Sequence, residues 1–91
     1  EEYTAIVIVS SRPQEVRDMI IHGLHRTVTI YKGEGGRTGE DKDILYCVVT
    51  RLEIGNIKAV IRSVDDGAFI VTYPLSDVDG GVIKKTAAHI A

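Results

Sequence analysis

Two short runs of apolar residues constrain this chain more than any other feature of its sequence. They span residues 4–9 and 44–49 and consist almost wholly of β-branched and other apolar side chains. Runs of this length and composition predict strands, and an unbroken run predicts a strand that is apolar on both of its sides. A sheet with these two strands at its centre therefore needs cover on both faces.

Helix signals follow each of the two runs. Ser11 precedes Pro13 and Gln14, which predicts a helix capped by the serine with proline in its first turn, and Thr50 with Glu53 forms a second capping box. Apolar residues then recur at helical spacing: Val16, Met19, Ile20, Gly23 and Leu24 in the first helix, and Ile54, Ile57, Val60, Ile61 and Val64 in the second.

The helix ends carry signals of their own. His25 and Arg26 place cations near the C-terminus of the first helix, where the helix dipole favours them. Asp65 and Asp66 precede Gly67, which is predicted to adopt the left-handed conformation that ends the second helix.

Two further strands, over residues 27–32 and 68–73, complete the order βαββαβ, with the third strand over 43–50. This order predicts a ferredoxin-like α+β fold, a four-stranded antiparallel sheet with two helices on one face and the first and third strands at its centre. Residues 1–91 are predicted to form this single domain, and the lack of an initial methionine suggests that it is cut from a longer protein. For the tail, residues 82–91, a short helix and an irregular end both stay open.

The sheet face away from the helices is predicted to be apolar. Ala5, Val7 and Val9 point to one side of the first strand, while Ile6 and Ile8 point to the other. The third strand divides in the same way. The cover for the second face is a partner subunit, the C-terminal tail or the rest of a larger protein, and we favour a homo-oligomer through this face.

Composition excludes several classes of function. The net charge of −2 lacks the basic excess that nucleic-acid binding requires, and the single cysteine, Cys47, excludes an internal disulfide. Cys47 is expected to be a small buried hydrophobe, and His22 and His25 are expected to be solvated. The sequence contains no acid–base pair, no metal-ligand spacing and no cofactor motif, so we expect no enzyme and no cofactor.

A glycine-rich segment between the second and third strands is the candidate binding site. Its residues are Gly33, Gly35, Gly36, Arg37, Thr38 and Gly39. Glycines let several amides turn toward one point, Arg37 can grip a phosphate or carboxylate, and Thr38 adds a hydrogen bond. A mobile hairpin tip that contacts a protein, and a plain connection, are the alternatives.

This segment also carries a resemblance. The run Gly33-Glu34-Gly35-Gly36-Arg37-Thr38-Gly39, the strand from Asp41 to Arg51, and Asp65 shortly before Ala68 together resemble the domain of unknown function that ends the YitT-type bacterial membrane proteins. The resemblance covers roughly residues 4–81. The chain departs from this family after Asp79-Gly80-Gly81. The acidic–glycine ending of the family usually continues into phenylalanine, and this aromatic residue is missing here.

The resemblance implies a module on the cytoplasmic side of the cell membrane, attached to a membrane-embedded region. It also implies a shape similar to the PII signalling proteins, which are trimers that bind nucleotides near a long loop after the second strand. We transfer only the position of that loop, residues 33–39.

The resulting functional hypothesis is a regulatory or ligand-sensing domain of a bacterial membrane protein that binds a small anionic ligand or nucleotide at the glycine-rich loop. The alternative is a non-catalytic oligomerisation module without a small-molecule ligand.

Overall fold

The computed structural model describes residues 2–80, which form a four-stranded antiparallel sheet with two helical segments on one face. The sheet order is β2-β3-β1-β4. The predicted ferredoxin-like α+β fold is confirmed, with the first and third strands at the centre. The elements in chain order are β1 (Tyr3–Val9), α1 (Pro13–Asp18), a π-helical turn (Met19–Gly23), β2 (Thr29–Glu34), β3 (Asp41–Thr50), a 3-10 turn (Arg51–Glu53), α2 (Ile54–Val64) and β4 (Phe69–Pro74).

The core lies between the sheet and the helices. Ile6 and Ile8 of β1 are fully buried there, beneath the apolar side of α2, from which Ile57 and Ile61 project. The other core residues are Val16, Ile20, Leu24, Leu45, Cys47, Val49 and Ala68. The predicted apolar side of α2 is therefore confirmed. Separately, no helix among residues 2–80 is long and apolar enough to span a bilayer.

The start of α1 differs from its predicted form. Arg12, not Ser11, occupies the N-cap position, and no side chain caps the helix. The Ser11 hydroxyl and amide instead donate to Asp65 Oδ2, which also accepts from the Ser10 hydroxyl at 2.6 Å. The predicted capping box at Ser11 is wrong because a carboxylate distant in sequence binds the serine.

The end of α1 departs from an α-helix. Leu24 donates its amide to Met19 O at 3.2 Å, a π-helical bond that adds a residue to the turn. Met19, at the start of this turn, is 40% exposed, although its spacing predicted a buried position. His25 then adopts a left-handed conformation with φ of 57°.

The prediction for the start of α2 is confirmed, and the prediction for its end is wrong. The capping box of Thr50 and Glu53 is present, with the Thr50 amide donating to Glu53 Oε1 at 2.9 Å. At the other end Asp65 is extended, and the φ angle of Gly67 is not positive. The predicted left-handed Gly67 is therefore wrong. Asp65 Oδ1 instead accepts the Gly67 amide at 3.0 Å, as in an Asx-turn.

A part-buried ion pair joins the two helical segments, and no sequence signal indicated it. Arg26 is only 8% exposed and its Nε donates to Glu53 Oε2 at 2.9 Å, with Nη2 bonding the same oxygen. Burial alone would raise the pKa of Glu53, but the hydrogen bonds from Thr50 and Arg26 outweigh it and lower the pKa. Glu53 thus caps α2 and neutralises a guanidinium that enters the core after α1.

Replacing Glu53 with glutamine should remove about 3 kcal/mol of folding stability at neutral pH, because Arg26 would remain buried without its counter-charge. Because the folded-state pKa of Glu53 is lowered, its contribution is present above the ordinary glutamate range and is lost as pH falls through the folded value. Urea unfolding of wild type and Glu53→Gln should therefore give curves that converge on acidification.

Asp43→Asn is the matched control for this measurement. Its side chain is 20% exposed, close to the 22% of Glu53, but its partner Lys32 is 78% exposed. The expected loss is below about 1 kcal/mol. Equal losses in the two variants would contradict a special role for the Arg26–Glu53 pair.

Candidate functional site

The glycine-rich segment forms the closed end of the β2–β3 hairpin. Gly33 is part of β2, and the turn comprises residues 36–38, which lie between Gly35 and Gly39. The Gly35 amide donates to Glu40 O, and the Gly39 amide donates to Gly35 O, both at 2.8 Å. The hairpin thus closes on its own backbone.

Two of the glycines are required by this turn. Gly39 has φ of 73°, a conformation that costs other residues about 1–2 kcal/mol. A Cβ on Gly35 would lie 2.9 Å from Thr38 Oγ1, which accepts the Glu40 amide at 3.2 Å. Gly36 has open space around it. The Thr38 hydroxyl oxygen therefore serves the turn, whatever else it binds.

The six candidate residues lie together along one end of the hairpin, with Arg37 at the tip. Arg37 is exposed and makes no hydrogen bond or ion pair among residues 2–80. The amides of Gly36, Arg37 and Thr38 have no internal acceptor in the same range. Lys32, which would add positive charge, is bound to Asp43 at 2.7 Å. Anion binding at this tip stays a prediction.

Gly39→Ala should destabilise the protein by about 1 kcal/mol, because alanine is strained at a positive φ. Gly36→Ala, three residues away in the same turn, should be neutral or slightly stabilising, because it meets no atom within 4 Å and lowers the entropy of the unfolded chain. Urea denaturation of both variants provides the comparison. Similar effects of the two substitutions would contradict the closed turn.

The sheet face away from the helices is the second candidate site, called here the open face. Antiparallel partners share a face, and three cross-strand rows define it: Phe69, Val9, Ile44 and Tyr31; Val71, Val7, Tyr46 and Thr29; Tyr73, Ala5 and Val48. None of these eleven residues is charged. The predicted apolar second face is present.

Aromatic side chains dominate the exposed part of the open face. Phe69 is 64% exposed, Tyr31 51% and Tyr73 42%. Tyr31 packs against Tyr46 with ring centroids 5.8 Å apart. Partial burial, reinforced by Tyr73, raises the pKa of Tyr46, so its phenol stays neutral at physiological pH. The face is thus uncharged while its hydroxyls offer a few polar contacts.

The exposed residues of β4 were not singled out from the sequence. Phe69, Val71 and Tyr73 all lie on the open face, whereas Ile70 packs against the core. The period-two pattern of this strand is the signal that could have identified them.

The remaining reactive groups have structural explanations. Burial raises the pKa of the Cys47 thiol to about 12, so it is a buried hydrophobe as expected. His22 and His25 are exposed, and residues 2–80 contain no group of three side chains that could hold a metal ion. Hydrogen bonds, first that of the Ser10 hydroxyl, lower the pKa of Asp65, which links two loops.

Comparison with known proteins identifies relatives that are membrane proteins. The UPF0750 membrane protein YpjC of Bacillus subtilis (strain 168) is 42% identical over 80% of this chain and 25% of its own length. The UPF0750 membrane protein YitT of the same strain is 29% identical over 69% of the chain and 22% of its own length. The chain thus spans about a quarter of these relatives.

A solved structure shares the fold. The crystal structure of a DUF2179 protein from Eubacterium ventriosum matches with a TM-score of 0.71 and 20% identity, covering 80% of this chain and 100% of that one.

Residues 26–80 match the family described as uncharacterized protein conserved in bacteria (DUF2179). The predicted resemblance to YitT-type proteins is confirmed, and the chain belongs to the DUF2179 family, whose domain occurs in UPF0750 membrane proteins.

Proposed function

We propose that this domain is a non-catalytic, regulatory assembly module of a bacterial membrane protein, and that its open face contacts other subunits of the same assembly. The observation that carries the proposal is the exposure of Phe69, Val71 and Tyr73 on an uncharged face. Contiguous exposed apolar patches mark interaction surfaces, and interface cores are depleted of charge and rich in aromatic residues.

The membrane setting is supported by the relatives. YpjC and YitT are named membrane proteins, and each is about four times the length that this chain matches. A position on the cytoplasmic side rests on the resemblance to YitT-type proteins. In this arrangement the domain joins the membrane-embedded parts of neighbouring subunits from outside the bilayer.

A second candidate function is sensing of a small anionic ligand or nucleotide at the hairpin tip. The observation that favours it is the exposed guanidinium of Arg37 next to three amides that have no acceptor within residues 2–80. Glu34, Glu40 and Asp41 oppose it, because their charges offset that of the arginine.

In the full-length parent protein, Phe69→Asp should reduce the mass of the detergent-solubilised complex, because it places a charge in the open face. Leu52→Asp is the matched control, since Leu52 is 90% exposed on the turn before α2, away from the sheet. Light scattering after chromatography measures both. A complex of unchanged mass in Phe69→Asp would contradict the assembly function.

Thermal melting in the presence of nucleotides and small phosphorylated metabolites tests the sensing function. A ligand at a hundred times its dissociation constant should add about 2.7 kcal/mol of stability, and Arg37→Ala should abolish the shift. Arg17→Ala, which removes a half-buried arginine on α1, is the control and should keep the shift. A screen in which no compound moves the transition would leave the tip without a ligand role.

A further inference from the structure

We infer that the subunit packed on the open face is a second copy of this same chain. The inference rests on the proposed assembly function and names its partner.

The charge pattern favours an identical partner. Among the charged residues of the four strands, only Lys42 falls on the open side, opposite Gly33 near the hairpin end. Lys32, Glu34, Asp41 and Asp43 fall on the other side. A face whose single charge lies at one corner attracts neither an acidic nor a basic peptide strongly. Two copies of it also meet with little of the like-charge repulsion that otherwise penalises self-association.

The same pattern disfavours a lipid surface. Peripheral binding to anionic membranes needs clustered lysine and arginine beside the apolar residues. Lys42 alone does not supply this, because it is a single charge at one corner of the face.

The shape of the open face, with raised edges and a lower centre, is suited to packing against a second copy of the same face. The most exposed side chains, Phe69 and Tyr31, stand on the two edge strands at opposite ends of one row. The centre is lower, since Ala5 is inaccessible and Val7 is half-buried. When two sheets pack face to face, the side chains of their inner faces interdigitate, so raised side chains of one sheet fit between those of the other. In a two-fold pair each copy supplies both the aromatic edge and the aliphatic centre.

Three tyrosine hydroxyls add polar groups to the open face. Tyr31, Tyr46 and Tyr73 present hydroxyl groups on a face whose three rows are otherwise apolar apart from Thr29. Tyrosine is enriched at protein interfaces because its ring is buried while its hydroxyl finds a polar partner.

Sedimentation velocity of the 91-residue chain over a wide concentration range tests the inference. Wild type should associate with increasing concentration, and Phe69→Asp should weaken that association about tenfold or more. Leu52→Asp should behave as wild type. Tyr73→Ser provides a second, milder change on the same face, and circular dichroism of dilute samples checks that each variant is folded.

Hydroxyl-radical footprinting of the dilute chain separates the ways in which the inference could fail. If the chain stays monomeric while Phe69 and Tyr73 react as readily as Leu52, the second copy is ruled out, and the assembly function is judged by the full-length protein alone. If the chain stays monomeric while both residues are protected, another segment of the same chain covers the face. The assembly function and the second copy are then both overturned. Equal association of Phe69→Asp and wild type would also overturn the inference.

Discussion

The fold depends on two central strands that are apolar on both sides, while the helices among residues 2–80 cover only one face of the sheet. Ile6 and Ile8 of β1 lie in one buried cluster with Ile57 and Ile61 of α2, and this shared core fixes which face of the sheet is covered. Since strand side chains alternate with period two, Val7 and Tyr46 must then lie on the other face. The exposed patch is therefore a direct consequence of how the core forms.

The Arg26–Glu53 pair shows how the two halves of the fold are joined. Arg26 follows α1 and its π-helical turn, while Glu53 lies between β3 and α2. Buried pairs contribute little net stability compared with apolar residues of equal size, but losing one partner is costly. The pair therefore ties the residues after the first helical segment to the turn that begins the second.

Local signals in the sequence were reliable where no distant group competed with them. Thr50 and Glu53 form the capping box that their spacing indicates, whereas the similar signal at Ser11 failed because Asp65 binds that serine across the fold. The strand order and the core followed from hydrophobic periodicity. The Arg26 contact did not, because it joins residues 27 positions apart that carry no shared local pattern. For the candidate sites, the position of the loop and the apolar second face were predictable, but the closed turn and the exposed part of β4 required the pairing of the strands.

The self-contained turn at the end of the β2–β3 hairpin bears on how such chains can diverge. Its backbone hydrogen bonds fall between Gly35 and Glu40 and involve no atom of the sheet's centre or of the helices. Surface loops of this kind accept insertions at little entropic cost, because closing a longer loop adds only a logarithmic penalty. Insertions and charge substitutions can therefore accumulate at this end of the hairpin and change what it binds, without disturbing the core between the sheet and the helices.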